Sequence, residues 1–364
     1  MIFWYVFLVL IVVVILASYH YKFHRSISWF FLFFVAAFRY NVGTDYIAYH
    51  EMYIYKDKMY EHKEIGYRLF VDFFSNVGFS PQFFFFLFSL LTLFLFYKGY
   101  SYIFNNERFY FYLATLLFIP FYYFATLNVV RQALAASIFF YSIRFILEKS
   151  FFKYLICILI ASLFHYSAIV CLILYLTSKV KFSNYRKYLL YIVFVLFIII
   201  NPISILVDIY VSFKLPLYYH FNSIEYGVGV SGFGKVMAII LFVFVIFSSN
   251  YINKDNHIEN VFFNMIICFV FIKIIALDYS IIDRFSNYFK PVLVVFFILF
   301  LNNMMKKIKG GALFLPAVTI LFAVLYSMLV IYIRGSEIVE YNQYSIDLIL
   351  YGKSNYIIEV YNSN

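Results

Sequence analysis

Charge is scarce in this sequence. Only 13% of its 364 residues are Asp, Glu, Lys or Arg and 65% are hydrophobic, whereas a soluble domain is about 25% charged and about half apolar. A water-soluble core cannot hide that much apolar surface, so the composition points to a membrane. Cysteine is sparser still: Cys157, Cys171 and Cys268 each lie in an apolar run, without a CxxC pair or a ligand cluster. A disulfide framework and a zinc site are therefore not indicated, and no metal or cofactor is expected. No lipidation motif is visible: Met1 is followed by Ile2 instead of glycine, and there is no C-terminal CaaX box. No repeat of fixed period occurs, and no hydrophilic stretch is long enough to stand alone as a soluble domain. Residues 1–364 read as a single polytopic membrane domain.

What is present in excess is aromatic. With 51 Phe and 38 Tyr, rings make up 25% of the chain, more than packing requires, and such rings favour membrane interfaces and the faces of sugars. The formal charge of +10 would raise nucleic-acid binding in a soluble protein. Here the basic residues gather in short loops between apolar runs, a pattern that controls topology, and no nucleic-acid partner is expected.

A helix needs about 20 apolar residues to cross about 30 Å of hydrocarbon. Spans are predicted over 2–18, 26–38, 80–98, 108–127, 129–147, 187–209, 233–250, 259–277, 287–303 and 312–333. Residues 2–18 resemble a signal-peptide core but lack a basic leader and a small-residue cleavage site, so they are expected to remain as the first span. Phe151 to Ser178 is too long for one upright helix and short for two. Sidedness arbitrates. The clusters Lys22/Arg25, Lys149/Lys153, Lys179/Lys181/Arg186/Lys187 and Lys306/Lys307/Lys309 share the cytoplasmic side only if this stretch is a hairpin turning near His165. The expectation is an all-α fold of about 12 crossings, with segments 39–79, 210–232 and 334–364 outside. Segment 39–79 breaks the positive-inside pattern with Arg39, Lys56, Lys58, Lys63 and Arg68, as long loops do.

Ionisable residues at or within such helices are costly and tend to face a cavity used for chemistry or transport. Four places stand out. In Phe38-Arg39-Tyr40-Asn41-Val42-Gly43-Thr44-Asp45, Gly43 permits a tight turn that would bring Arg39 and Asp45 together. In Asn128-Val129-Val130-Arg131-Gln132, a guanidinium sits at a helix N-terminus, where it is structurally disfavoured but suits a phosphate. His165 lies at the tip of the proposed hairpin. A lone histidine is more often structural, yet an imidazole can also accept a hydroxyl proton or bind phosphate. Asp283-Arg284 leads into the eleventh span. The topology puts Arg39, Asp45, Arg131, His165 and Arg284 on one side of the membrane, and three arginines on one face imply an anionic ligand such as a pyrophosphate carried on a polyprenol.

At these residues the sequence resembles the EpsG-like branch of the Wzy-type O-antigen and exopolysaccharide repeat-unit polymerases. The resemblance rests on Arg39-Tyr40-x-Val42-Gly43-Thr44-Asp45-Tyr46 with Tyr49 and Glu64-x-Gly66-Tyr67, then on Arg131-Gln132, on Phe164-His165-x-Ser167-Ala168, and on Arg284 with Tyr288. It implies a polytopic helical fold in a bacterial inner membrane and glycan transfer without a nucleotide sugar. The growing glycan would leave undecaprenyl pyrophosphate and join a hydroxyl of the next lipid-linked unit, at a site facing the periplasm or cell exterior.

In that reaction Arg131, Arg284 and Arg39 are the candidates for stabilising the leaving pyrophosphate, with no metal required. His165 is the preferred base or phosphate partner. Asp45 is the second candidate, or orients Arg39 or the acceptor. Tyr40, Tyr46, Tyr218 and Tyr219 are candidate sugar-stacking rings, with Tyr226 beside Gly227 and Gly229 in the same outer segment. Partners are the lipid-linked oligosaccharide and membrane lipid, and a chain-length regulator protein is a candidate partner. Two rivals are an O-antigen ligase or other polyprenol-dependent transferase, which would use the same arginine logic, and a flippase of lipid-linked sugar. The flippase predicts polar residues throughout the membrane depth. Here the cytoplasmic half reads as apolar, with Lys273 explained by snorkelling.

Overall fold

A computed structural model describes residues 2–181, 192–196 and 232–339, apart from positions 23, 57, 106, 195, 254, 278–279 and 308–310. Every regular element among them is helical. The helices Phe3–His20, Pro81–Ile103, Arg108–Thr126, Val130–Leu147 and His257–Ile275 are long and apolar enough to cross a membrane. Shorter apolar helices cover Ser26–Ala37, Phe151–Phe164, Tyr166–Thr177, Val236–Ser248 and Pro316–Tyr332. The predicted span 187–209 and the segment 210–232 lie largely outside the described residues, as do Tyr218, Tyr219, Tyr226 and the chain beyond Val339.

The chain falls into two compact units. The first comprises Met1–Arg144, Leu155–Ile169 and the chain from Val318; the second comprises Phe145–Tyr154 and Val170–Ala317. In the first, α1 (Ile2–His20), α2 (Ser26–Ala37), α6 (Pro81–Ile103) and α7 (Arg108–Phe118) pack around an aromatic core. Trp29 of α2 is enclosed by Tyr100 and Phe118 at 5.8 and 5.1 Å, and its indole N–H donates to Thr115 Oγ1 at 3.0 Å. A buried Trp that finds such an acceptor contributes area without leaving an orphaned donor. α7 continues through a π turn, Ile119–Tyr123, into α8 (Phe124–Thr126). Pro120 within that turn has no N–H for the α ladder. α9 (Val130–Leu147) follows directly.

Segment 39–79 is three helices rather than an open loop: α3 (Tyr46–Tyr55), α4 (Lys58–Glu61) and α5 (Ile65–Val77). Left-handed residues punctuate them, Lys56 at φ 46° after α3 and Gly78 at φ 93° after α5. α5 buries Tyr67 and Val71 inward while Ile65, Leu69, Phe73 and Val77 form an exposed stripe at helical spacing. A helix lying against acyl chains presents such a face.

The hairpin read from charge placement is present. α10 (Phe151–Phe164) stops at His165, and a 3₁₀ helix, Tyr166–Leu172, leads into α11 (Ile173–Thr177). In the second unit the two arms meet: the Tyr154 hydroxyl donates to the Cys171 carbonyl at 2.5 Å, and the rings of Phe151 and Tyr154 pack on Tyr175 at 5.0 and 5.7 Å. At 1.5 Å per residue the 14 residues of α10 reach only about 21 Å, so each arm is shorter than an upright span.

The rest of the second unit centres on the helix His257–Ile275, which packs against Lys290–Lys307 and Gly232–Ser248. Asn256 caps it by accepting from the N–H groups of Ile258 and Glu259 at 3.0 and 3.3 Å. Asn264 reaches the carbonyls of Thr177 and Val180 at 2.7 and 2.9 Å, tying α11 to this helix. Lys273 forms an ion pair with Asp283 at 2.6 Å.

Candidate active site

Two close backbone approaches in the first unit assemble the site. Gly43 has φ 101°, and a Cβ there would fall 2.7 Å from the carbonyl oxygen of Leu127. Only glycine provides both that conformation and that clearance. The loop 43–45 therefore rests on Leu127 and Asn128, whose Oδ1 accepts from the Thr44 hydroxyl at 2.8 Å and from the Asp45 N–H at 2.9 Å. This fixes the entry to α9, and Arg131 follows three residues later. At Gly66, in the first turn of α5, a Cβ would lie 2.7 Å from the Leu163 carbonyl and 2.8 Å from the Leu163 side chain. α5 and the last turn of α10 thus touch backbone to backbone. Glu64, just before α5, is brought to His165, just after α10.

The Glu64 carboxylate binds both partners. Oε2 pairs with Arg131 Nη1, and Oε1 lies 2.9 Å from His165 Nδ1. Side-chain exposure rises from 6% at Glu64 through 14% at Arg131 to 25% at His165, so the carboxylate forms the floor and the imidazole the most open part. Arg131 also donates from Nε to the Tyr49 hydroxyl at 3.4 Å, and its guanidinium carbon lies 5.7 and 5.3 Å from the Tyr49 and Tyr67 ring centres. A buried carboxylate is costly unless paired. The arginine neutralises it, and the two rings, themselves buried, favour the cation by their quadrupoles.

Of the residues singled out from sequence, Arg131 and His165 are thus brought to one carboxylate. Asp45 is half-buried and starts α3. Arg39 is fully buried. The chain after α2 bends under the helix end, where Arg39 Nη1 donates to the Ala36 carbonyl at 2.6 Å and to Ser89 Oγ at 3.1 Å, with Phe85 beneath the guanidinium at 5.0 Å. A carbonyl left over at a helix C-terminus attracts such a donor, so Arg39 ties the loop to α6 instead of presenting an open fork. Tyr46 stacks on Phe85 at 4.2 Å and donates to Gln82 Oε1 at 2.8 Å; at 2% exposure it has no face open to a sugar. Tyr40 packs edge-on against it at 5.9 Å and is partly exposed. Arg284 belongs to the second unit and is exposed on the 3₁₀ helix Arg284–Tyr288.

Sequence reasoning gave no chemical role to Glu64, Tyr49 or Tyr67. The signal available was the spacing Glu64-x-Gly66-Tyr67, an acidic residue just before a glycine that permits close approach. Its partners lie 67 and 101 residues away, beyond any local pattern.

Several helices long and apolar enough to cross a membrane define a polytopic membrane protein, and its first unit gathers an arginine and a histidine on one carboxylate at the ends of α9, α10 and α5. Compared with protein-family models, the chain matches the EpsG family over residues 22–343 and belongs to that family. Membership suggests a polysaccharide-polymerase-like role in a membrane. No curated protein and no solved structure matches the chain.

Proposed function

We propose that this protein polymerises lipid-linked oligosaccharide repeat units for O-antigen or exopolysaccharide, moving the growing glycan from undecaprenyl pyrophosphate to a hydroxyl of the next unit. The observation that carries the reading is the convergence of Arg131 and His165 on Glu64. A cation that stabilises the leaving anion and a proton acceptor are the two groups this transfer requires. The acceptor hydroxyl loses its proton to His165 as its oxygen bonds the anomeric carbon. The bond from that carbon to the pyrophosphate oxygen breaks, and the leaving group takes the electron pair. Arg131 stabilises the charge developing there, a contribution of about 10²- to 10³-fold for one well-placed donor. Asp45, anchored at Asn128, is the second candidate for the base.

The reading includes about 12 crossings of a bacterial inner membrane, with the site on the periplasmic or outer face and a chain-length regulator as a candidate partner. The test is the surface glycan of a strain lacking the gene. Single-unit capping in place of a ladder is the expected result. Loss of all surface glycan would instead indicate a ligase or a flippase.

A further inference from the structure

Glu64 is the most buried member of the cluster and holds both of the others. A carboxylate paired with a guanidinium is an acceptor only. The neighbour 2.9 Å from its other oxygen is His165 Nδ1, so the hydrogen in that contact resides on Nδ1. In the neutral ring the lone pair is then on Nε2. We propose that Glu64 is the positioning residue of this site, holding His165 in the tautomer whose Nε2 accepts the proton of the acceptor hydroxyl. The assignment rests on the reading of His165 as the base, and it adds what makes that base competent: orientation, tautomer, and stabilisation of the imidazolium that forms as the proton arrives.

The geometry makes one isosteric change informative. Glutamine has one acceptor oxygen and one donor NH₂, and at position 64 it would face two donors, Arg131 Nη1–H and His165 Nδ1–H. Arginine can only donate, so the amide oxygen turns to Arg131 and the NH₂ to His165. The imidazole must then accept at Nδ1 and carry its hydrogen on Nε2, the tautomer that cannot take a proton from substrate. Shape and the Arg131 contact are kept while the base is switched off. Glu64→Gln should lower kcat about 10²- to 10⁴-fold, the usual contribution of a general base, while KM for the lipid-linked donor changes by less than about threefold.

A readout independent of substrate separates this assignment from the polymerase reading. The full chain is labelled with ¹⁵N-histidine in detergent, and the His165 signals are identified among the seven histidines by their absence in His165→Gln. The expected spectrum of the neutral ring shows hydrogen on Nδ1 and a bare Nε2, reversed in Glu64→Gln. Hydrogen on Nε2 in the unmodified protein overturns the proposal, as does a Glu64→Gln protein with unchanged tautomer and rate. If Glu64→Gln fails to fold, the spectrum of the unmodified protein decides alone. The expected spectra combined with normal polymerisation by His165→Gln would leave the Glu64–His165 geometry standing and remove His165 as the base.

Discussion

Gly66 is where the geometry of the site can be loosened without replacing any of its polar side chains. A methyl at this position would lie 2.7 Å from the Leu163 carbonyl oxygen, and ordinary contact begins at 3.4 Å. The obstructing atom is backbone and cannot swing aside, so α5 and the end of α10 must separate by about 0.7 Å. His165 lies two residues beyond Leu163 and Glu64 two residues before Gly66, so the separation falls directly on their hydrogen bond. Overpacking of this kind costs about 1 to 3 kcal/mol. The better helix propensity of alanine offsets up to about 1 kcal/mol of it. Misplacement of a catalytic group by about 1 Å can cost about 10²-fold in rate, so Gly66→Ala should lower kcat about 10- to 100-fold with modest destabilisation. The control is Gly78→Ala, at the other end of the same helix, where φ is +93° and no atom lies within 4 Å of the added methyl. It should cost about 1 to 2 kcal/mol in backbone strain and leave turnover per folded molecule unchanged. Chain-length gels on purified protein, normalised to folded protein by thermal unfolding in detergent, compare the two. Wild-type turnover and stability in Gly66→Ala would refute the close approach of these segments, and an equal loss of turnover in Gly78→Ala would show the effect to be global.

Arg131→Ala should abolish chain extension and also destabilise by about 3 to 5 kcal/mol, because it leaves the Glu64 carboxylate buried beside one partner. Arg131→Lys should restore stability more than activity, since the planar fork is lost; equal recovery of both in gels and unfolding curves would remove the arginine from anion binding. Burial on α3 lowers the His50 pKa from 6.5 to about 4. The folded protein therefore resists a proton that the unfolded chain accepts, and this stability is complete above about 6.5 and lost as pH falls toward 4. The full effect is on the order of 3 kcal/mol, and His50→Gln should flatten the unfolding midpoint across that window; an unchanged acid sensitivity would reject it. Thr44 is exposed, so a cysteine there should react with an impermeant reagent added to intact cells. Reaction only after the inner membrane is opened would overturn the proposed sidedness.

Much of the architecture is readable from the sequence because apolar length and the placement of Lys and Arg are local properties. The predicted spans 2–18, 26–38, 80–98, 108–127 and 129–147 coincide within a few residues with α1, α2, α6, the α7 to α8 run and α9. Sidedness alone located the turn at His165. Segment 39–79 was harder, since three short helices with mixed faces carry no long apolar run. The site divides in the same way. Arg131 and His165 stood out as polar residues at the ends of apolar helices. Glu64 did not, because six acidic residues fall within 39–79 and only the tertiary approach at Gly66 selects this one. For Arg39 the reason is different: its cost at a helix end was legible, but its burial against Ser89 and Phe85 depends on how the chain turns after α2. Gly43 was read as the hinge of a local turn, whereas its missing side chain also admits the Leu127 carbonyl from a segment 84 residues away.

The central claim is that this chain by itself joins lipid-linked repeat units. The direct measurement is purified protein in detergent or liposomes, supplied with a single undecaprenyl-pyrophosphate-linked repeat unit of the source strain and no nucleotide sugar, with products resolved by length. The account predicts a ladder of multiples of the unit, lipid-linked at its end, with undecaprenyl pyrophosphate released in proportion to the bonds formed, and no ladder from His165→Gln. Unextended unit in the presence of folded protein, or transfer of the unit only to a different acceptor, would contradict it.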